Sequence, residues 1–427
     1  MNANTTQTIP ETTGQKEAPP SAVQTRRGSK YLQTLLIPVL AVLTGFIIGA
    51  VVIALSNDAV ITAYRNFLHA PGAALAATWN AIATAYGALF YGSFGSIPEI
   101  YHGIQSYATT GDRTLLLKAI YPFTESLGAV TPYILAGLAV AVGFKCGLFN
   151  IGAEGQFGIG ALCSAFVGYS IHGLPWFVHL PLALLAGAAG GALWGAIPGY
   201  LKGLTGAHEV VVTIMMNYIS FLLSNWLLNG PMKAPGYRPL TPVIDNSAML
   251  PRFFPDPLRF NWGFILALAI AVLVYWFLFK TTIGFEIRAV GANPDGARYA
   301  GMNIVKSFVV AMTLSGALAG LAGATQVLGI DHWVGQGFSS GYGFDSIAIA
   351  LLGQSHPLGV VLAAFLWGTM RSGATNMQFT AGVPLEIISI IQGLVIVFVA
   401  APAVIRWIYH IRAIRTETTV LTRGWGK

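Results

Sequence analysis

An all-α polytopic membrane protein is what this sequence predicts, and three features carry that expectation. Hydrophobic residues make up 55% of the chain and charged residues only 9%, against about 25% charged in a soluble domain. Several apolar runs reach the ~20 residues that a helix needs to cross a bilayer core. Two stretches interrupt the apolar pattern with glycine, proline and polar side chains, as discontinuous helices around a path through the membrane do. The expected architecture has about ten transmembrane segments, interrupted helices and inverted repeats.

Composition narrows the class further. The 50 glycines suit close packing of helices in lipid, where small residues let backbones approach. The formal charge of +7 reports loops retained on the cytoplasmic side, so no nucleic acid is expected as a partner. Cys146 and Cys163 lie in apolar surroundings without metal-like spacing, and the eight histidines are dispersed, so no metal site is expected. His172 and His179, near an external turn, read as solvated or interfacial groups. A phosphate-binding loop of the form Gly-x-x-x-x-Gly-Lys-Ser/Thr is absent from the sequence, and so are His-Glu-x-x-His and Cys-x-x-Cys. The chain therefore does not read as an enzyme or as an ATPase.

Taken in order, residues 1–28 are polar and read as a disordered cytoplasmic tail. Arg26, Arg27 and Lys30 precede the apolar run 32–56, too long for a removable signal peptide and expected to run from inside to outside. Residues 57–125 read as an external insertion, in which 73–92 suits either a crossing or an interfacial helix. Spans are then expected at 127–144, 157–170, 180–201, 210–228, 261–279 and 308–327. A proline-rich external loop separates the fourth of these from the fifth. The short pieces 344–352 and 358–369, broken at Ser355, His356 and Pro357, and a last span at 383–401 complete the count. This arrangement places 15 of the 23 Lys and Arg residues inside, with both termini cytoplasmic, 29–410 as the permeation domain and 411–427 as a tail.

The first interruption, Gly147 to Gly160, carries Phe149, Asn150, Glu154 and Gln156 between two apolar runs. A carboxylate at membrane depth is costly, so Glu154 marks either a functional site in a broken helix or a tight turn lying among headgroups. Asn217, within the run 210–228, faces either a cavity or a neighbouring helix. Residues 281–306 form a basic inner loop. There Asn293 suits an N-cap, Pro294 the first helical position, and Asp295 the positive end of the helix dipole, while Gly301 ends a helix of about two turns. A short capped helix of this kind suits either docking on another protein or a surface connection between two spans. The two interrupted regions, one in each half, predict the inverted repeats.

Three motifs carry a family resemblance: Gly-Leu-Phe-Asn-Ile-Gly-Ala-Glu-Gly-Gln at 147–156, Glu-Val-Val-Val-Thr-Ile-Met-Met-Asn-Tyr-Ile at 209–219, and the loop from Gly284 to Gly301. With them the chain, over roughly Ser126 to Ala401, resembles the permease subunits of bacterial ATP-binding-cassette importers of the branched-chain amino acid and simple sugar superfamily, and most closely the guanosine-type nucleoside permeases. The resemblance implies two ATPase subunits that hold ATP and magnesium, with no cofactor on this chain. It also implies a second permease, identical or paralogous, an external substrate-binding lipoprotein or periplasmic protein, and a location in the bacterial inner membrane. It makes Gly284, Arg288, Gly291, Asn293, Pro294, Asp295, Ala297, Arg298 and Gly301 the coupling contact with the ATPase. Phe149, Asn150, Glu154, Gln156, Asn217 and Asp345 become candidates for the substrate pathway. The insertion 57–125 is longer than the family leads one to expect. Two alternatives are a permease of the same class for a simple sugar or other small polar solute, and an ion-coupled carrier using Glu154, Glu209, Asp345 or Glu386.

Overall fold

A computed structural model describes residues 27–410, with side chains from Leu36 onward; the tail 411–427 and nearly all of the tail 1–28 lie outside the described residues. The described chain is helical. In order it forms α1 (Arg27–Ser56), α2 (Asp58–Arg65), α3 (Pro71–Phe94), α4 (Ile97–Thr110), α5 (Thr114–Lys145), α6 (Ala153–Ser170), α7 (Trp176–Thr205) and α8 (Glu209–Asn229). There follow α9 (Gly263–Lys280), α10 (Thr282–Ala292), α11 (Pro294–Tyr299), α12 (Ile304–Gln326, prolonged by a wide turn to Asp331), α13 (Tyr342–Leu352), α14 (Pro357–Ala381), α15 (Leu385–Ala400) and α16 (Pro402–Ile408). Each expected span therefore falls on a helix.

Among the described residues, seven helical stretches are long and apolar enough to cross a membrane, or eight if the pair α15–α16, bent by 92°, counts as one. This differs from the expected ten because of three elements. In α6, Glu154, Gln156 and several glycines dilute the apolar character; α13 has 11 residues; and α14 carries Arg371, Asn376 and Gln378. Conversely, Pro71–Thr110 qualifies by length and composition, yet its contacts fold it back. A Cβ on Gly103 would press on Leu116, and one on Gly95 on the Ala119 carbonyl, so α4 doubles back along the start of α5. The lower end of α3 is tied by Ser126 Oγ donating to the Ser93 carbonyl at 2.7 Å. At the ~1.5 Å rise per helical residue, that level is about 28 Å up α5 from Lys145.

The hub is α5, whose most apolar window is 89% buried, against 22–44% for the other crossing helices. Around it α7 and α12 cross with their backbones in contact. A Cβ on Gly191 would collide with the Gly316 carbonyl, and one on Gly320 with that of Gly187. The small-residue ladder of α12 thus does what its spacing predicts. A second cluster joins α1, α3, α14 and α15 through Ile53, Leu89, Met377 and Ile391.

The 231–262 loop is stitched to the segment after α12. The Thr241 amide donates to the Val334 carbonyl at 2.9 Å, and the Ile244 amide to that of His332 at 3.0 Å. Arg252 lies 3.1 Å from His332 Nε2; burial, with Arg252 and Arg259 nearby, holds this imidazole below its ordinary pKa. His179 departs from the solvated role expected of it. It is buried, with Nδ1 2.7 Å from Ser247 Oγ and Nε2 3.1 Å from the Val167 carbonyl, and so pins the loop to α6.

Candidate functional site

The residues between α5 and α6 leave the helix at Cys146, and Gly147, at φ +75°, turns the chain back alongside α5. Its open backbone is then satisfied by side chains. Asn217 of α8 donates to the Ile151 carbonyl at 3.0 Å and accepts from the Gly155 amide at 2.9 Å. Ser220 donates to the Gly155 carbonyl at 3.0 Å. Asn150, fully buried, donates to Gln156 Oε1 and to Ser315 Oγ, both at 2.8 Å, and Ser315 in turn donates to the Ala139 carbonyl. These bonds perform the task that a broken helix in lipid imposes. They also fix its level against α5: Ala139 lies about 9 Å along that helix from Lys145.

A second helix starts against the first and runs the other way. After α12 the chain passes through positive φ at His332, Gly337, Ser340 and Gly341 and re-enters to begin α13 at Tyr342. Tyr133, about 18 Å up α5 from Lys145, donates to Asp345 in the first turn of α13 at 2.7 Å. The N-termini of α6 and α13 touch, since a Cβ on Gly343 would collide with the backbone of Glu154.

Glu154 occupies this meeting point. It is 2% exposed and lies in the first turn of α6. Its carboxylate accepts from the amides of Gly341 at 3.0 Å, Gly343 at 2.7 Å and Phe344 at 3.4 Å, and from the Ser339 hydroxyl. One negative charge therefore compensates two positive helix ends and caps the orphan amides of one of them. The turn-among-headgroups reading of Glu154 is overturned by this burial.

Beside the junction lies a cavity of about 440 Å³, within the ~300–1,000 Å³ of small-molecule sites. Its walls are α6 (Glu154, Gly158, Leu162), α8 (from Ser220 to Leu228) and the strap 334–341. Hydroxyls and amides of Ser220, Ser224, Asn225, Gln336, Ser339 and Ser340 alternate with the rings of Phe221 and Phe338, and among the described residues no Lys, Arg or His lines it.

Of the six residues expected along a pathway, only Glu154 lines this cavity. Asn150, Gln156 and Asn217 are fasteners of the break. Phe149 packs on Phe144, ring centroids 5.1 Å apart. Asp345 is engaged by Tyr133 and by Arg371 at 3.2 Å, with the Arg371 guanidinium 5.3 Å above the Tyr342 ring. The wall residues Ser220, Ser224 and Asn225 continue the polar stripe of Asn217 at helical spacing. The break at Ser355, His356 and Pro357 exists, between α13 and α14; Ser355 has φ +50°, Pro357 opens α14 and the His356 ring sits 5.5 Å from that of Phe279.

The inner loop holds two helices where one was expected, because Thr281 caps α10 by accepting from the Gly284 amide at 3.1 Å. Gly284, Arg288 and Gly291 consequently face the protein. Gly284 is pressed against Phe277 and Leu278, Arg288 donates to the Leu278 carbonyl at 2.9 Å, and Gly291 abuts Gly147 and the Lys145 carbonyl. The exposed part is α11 and its flanks. Asn293 accepts from the Gly296 amide at 3.1 Å; Pro294, Asp295, Arg298, Tyr299 and Gly301 are exposed, while Ala297 is buried beneath them.

Fold and site together define a multi-pass membrane transport protein, with a solute-sized cavity set against opposed helix N-termini. The chain belongs to the family described as branched-chain amino acid transport system / permease component, whose model matches residues 123–400. It is 39% identical over 384 residues to the guanosine ABC transporter permease protein NupP of Bacillus subtilis, covering 89% of this chain and 97% of that one. It is 34% identical to the nucleoside ABC transporter permease protein NupB of Lactococcus lactis, over 66% of this chain and 79% of the relative. It is 33% identical to the glucose ABC transporter permease protein TsgB13 of Haloferax volcanii, over 74% and 85%. No solved structure matches the chain.

Proposed function

We propose that this chain is the membrane-spanning subunit of an ATP-binding-cassette importer and that its solute is a nucleoside. The observation that carries the reading is the cavity beside Glu154. It is walled by uncharged hydroxyls and amides together with two aromatic rings, which suits a ribose and a stacked base. The two relatives named for guanosine and nucleoside transport support the same solute. The relative named for glucose supports a simple sugar as the second reading; Phe221 and Phe338 favour the base.

In this account ten segments cross the inner membrane as inverted repeats, with both termini cytoplasmic, and 57–125 forms an external insertion that dips into the outer half. Two ATPase subunits with ATP and magnesium, a second permease and an external binding protein complete the importer. The ATPase groove receives the exposed face of α11 around Asn293, Pro294, Asp295 and Arg298. Gly284, Arg288 and Gly291 transmit its movement inward, because Gly291 rests on the Gly147 turn. That turn carries the start of α6, and Glu154 ties α6 to α13.

The test is uptake of labelled guanosine by cells that make the permease with its partners, in competition with unlabelled guanosine or glucose. Guanosine should displace the label and glucose should not. Displacement of the label by glucose as well as by guanosine supports the sugar, and no uptake by a fully assembled complex contradicts the reading.

A further inference from the structure

The strap 334–341 is fastened firmly at its ends and lightly in its middle. At one end Val334 and Gly335 are bound to residues 240–241 of the external loop. At the other, Gly341 and the first turn of α13 are bound to Glu154. Between these anchors the exposed Gln336 reaches across the cavity mouth and donates from Nε2 to Oδ1 of Asn225 on α8. The contact leaves Asn225 Nδ2, a donor, and Gln336 Oε1, an acceptor, without a hydrogen bond among the described residues. An adjacent free donor and acceptor match a nucleobase edge or a vicinal diol.

The charge around them is also distinctive. The one ionisable side chain in the cavity wall is Glu154, and its oxygens are occupied by three backbone amides and a hydroxyl. A phosphate entering here would lose water and find no cation, a heavy penalty for a buried charge.

We infer that Asn225 and Gln336 form a solute-reading latch at the external mouth of the cavity, admitting uncharged nucleosides and excluding nucleoside monophosphates. One bond holds the two amides together across the mouth while the cavity is empty; a solute that offers an acceptor to Asn225 Nδ2 and a donor to Gln336 Oε1 fills the two positions left open beside it. The inference rests on the nucleoside reading above and assigns it to particular atoms.

The experiment uses Asn225→Cys and Gln336→Cys singly, in the assembled importer in membranes, with a membrane-impermeant maleimide added outside. Wild type supplies the background, since Cys146 is buried and Cys163 partly so. Guanosine should slow labelling of both cysteines severalfold, and guanosine 5′-monophosphate should leave the rates unchanged. If guanosine protects neither cysteine in membranes that still transport it, the latch is wrong and the nucleoside reading stands. Equal protection by the monophosphate overturns the exclusion of charge. If wild type transports no nucleoside, the reading falls and the latch with it.

Discussion

Glu154 compensates two helix ends at once, and its chemistry separates two roles that a buried carboxylate can play. A solute ligand leaves acceptor sites open to the cavity, whereas here the carboxylate is filled by the amides of Gly341, Gly343 and Phe344 and by Ser339. Its work is to hold α6 and α13 together. Each donor stripped of its partner costs about 1–3 kcal/mol. Glu154→Ala should therefore lower the thermal stability of the detergent-solubilised protein strongly, and Glu154→Gln, which keeps one acceptor oxygen, should lower it less. Fluorescence-detected size exclusion after heating reads both; equal stability of Glu154→Ala and wild type would remove the cap. Asn150, Gln156, Glu154 and Asn217 all stand out in the sequence as polar intrusions in apolar runs. Their mutual bonds do not, because these join residues as far apart as Asn150 and Ser315. Ser220 and Ser224 escape notice for another reason: hydroxyls are unremarkable in transmembrane helices, and only the cavity gives them meaning.

At the scale of elements, the informative unit is the opposed pair α6 and α13. The apolar runs mark nearly every helix, since lipid imposes the same length and polarity on each. What they conceal is where a helix begins in depth. The proline break at 355–357 is plain, yet the start of α13 at Tyr342 is the end that meets Glu154, and it is announced only by Gly341 and Gly343. Likewise in the sequence Arg371 closes an apolar piece that ends at Thr369, but its pairing with Asp345 lets α14 continue to Ala381. In the inner loop the capping chemistry of Asn293 and Pro294 is readable, whereas the inward packing of Gly284, Arg288 and Gly291 is a tertiary fact. It divides the loop into a docking part, α11, and a transmitting part, α10. Removing residues 294–300 should abolish co-purification of the ATPase subunits while leaving the permease monodisperse in detergent. Retained ATPase at wild-type stoichiometry would assign the docking elsewhere.

For the molecule as a whole, the carboxylates argue against an ion-coupled carrier. Such a carrier moves protons along exchangeable groups that line a path. Here Glu209 is paired with Lys202 at 2.9 Å in the inner turn, and Glu386 is exposed at the start of α15. Asp345 is held by Tyr133 and Arg371, and Glu154 is committed to backbone amides. Among the described residues no chain of free carboxylates joins them, while α11 stands exposed and capped by Asn293. The energy for transport should therefore come from a partner. The decisive measurement reconstitutes the purified permease with its ATPase subunits and binding protein in vesicles and follows entry of labelled guanosine. The account predicts uptake that requires ATP at the ATPase face and is unchanged when a proton gradient is imposed or collapsed. Uptake by the permease alone, driven by that gradient without ATP, would contradict it.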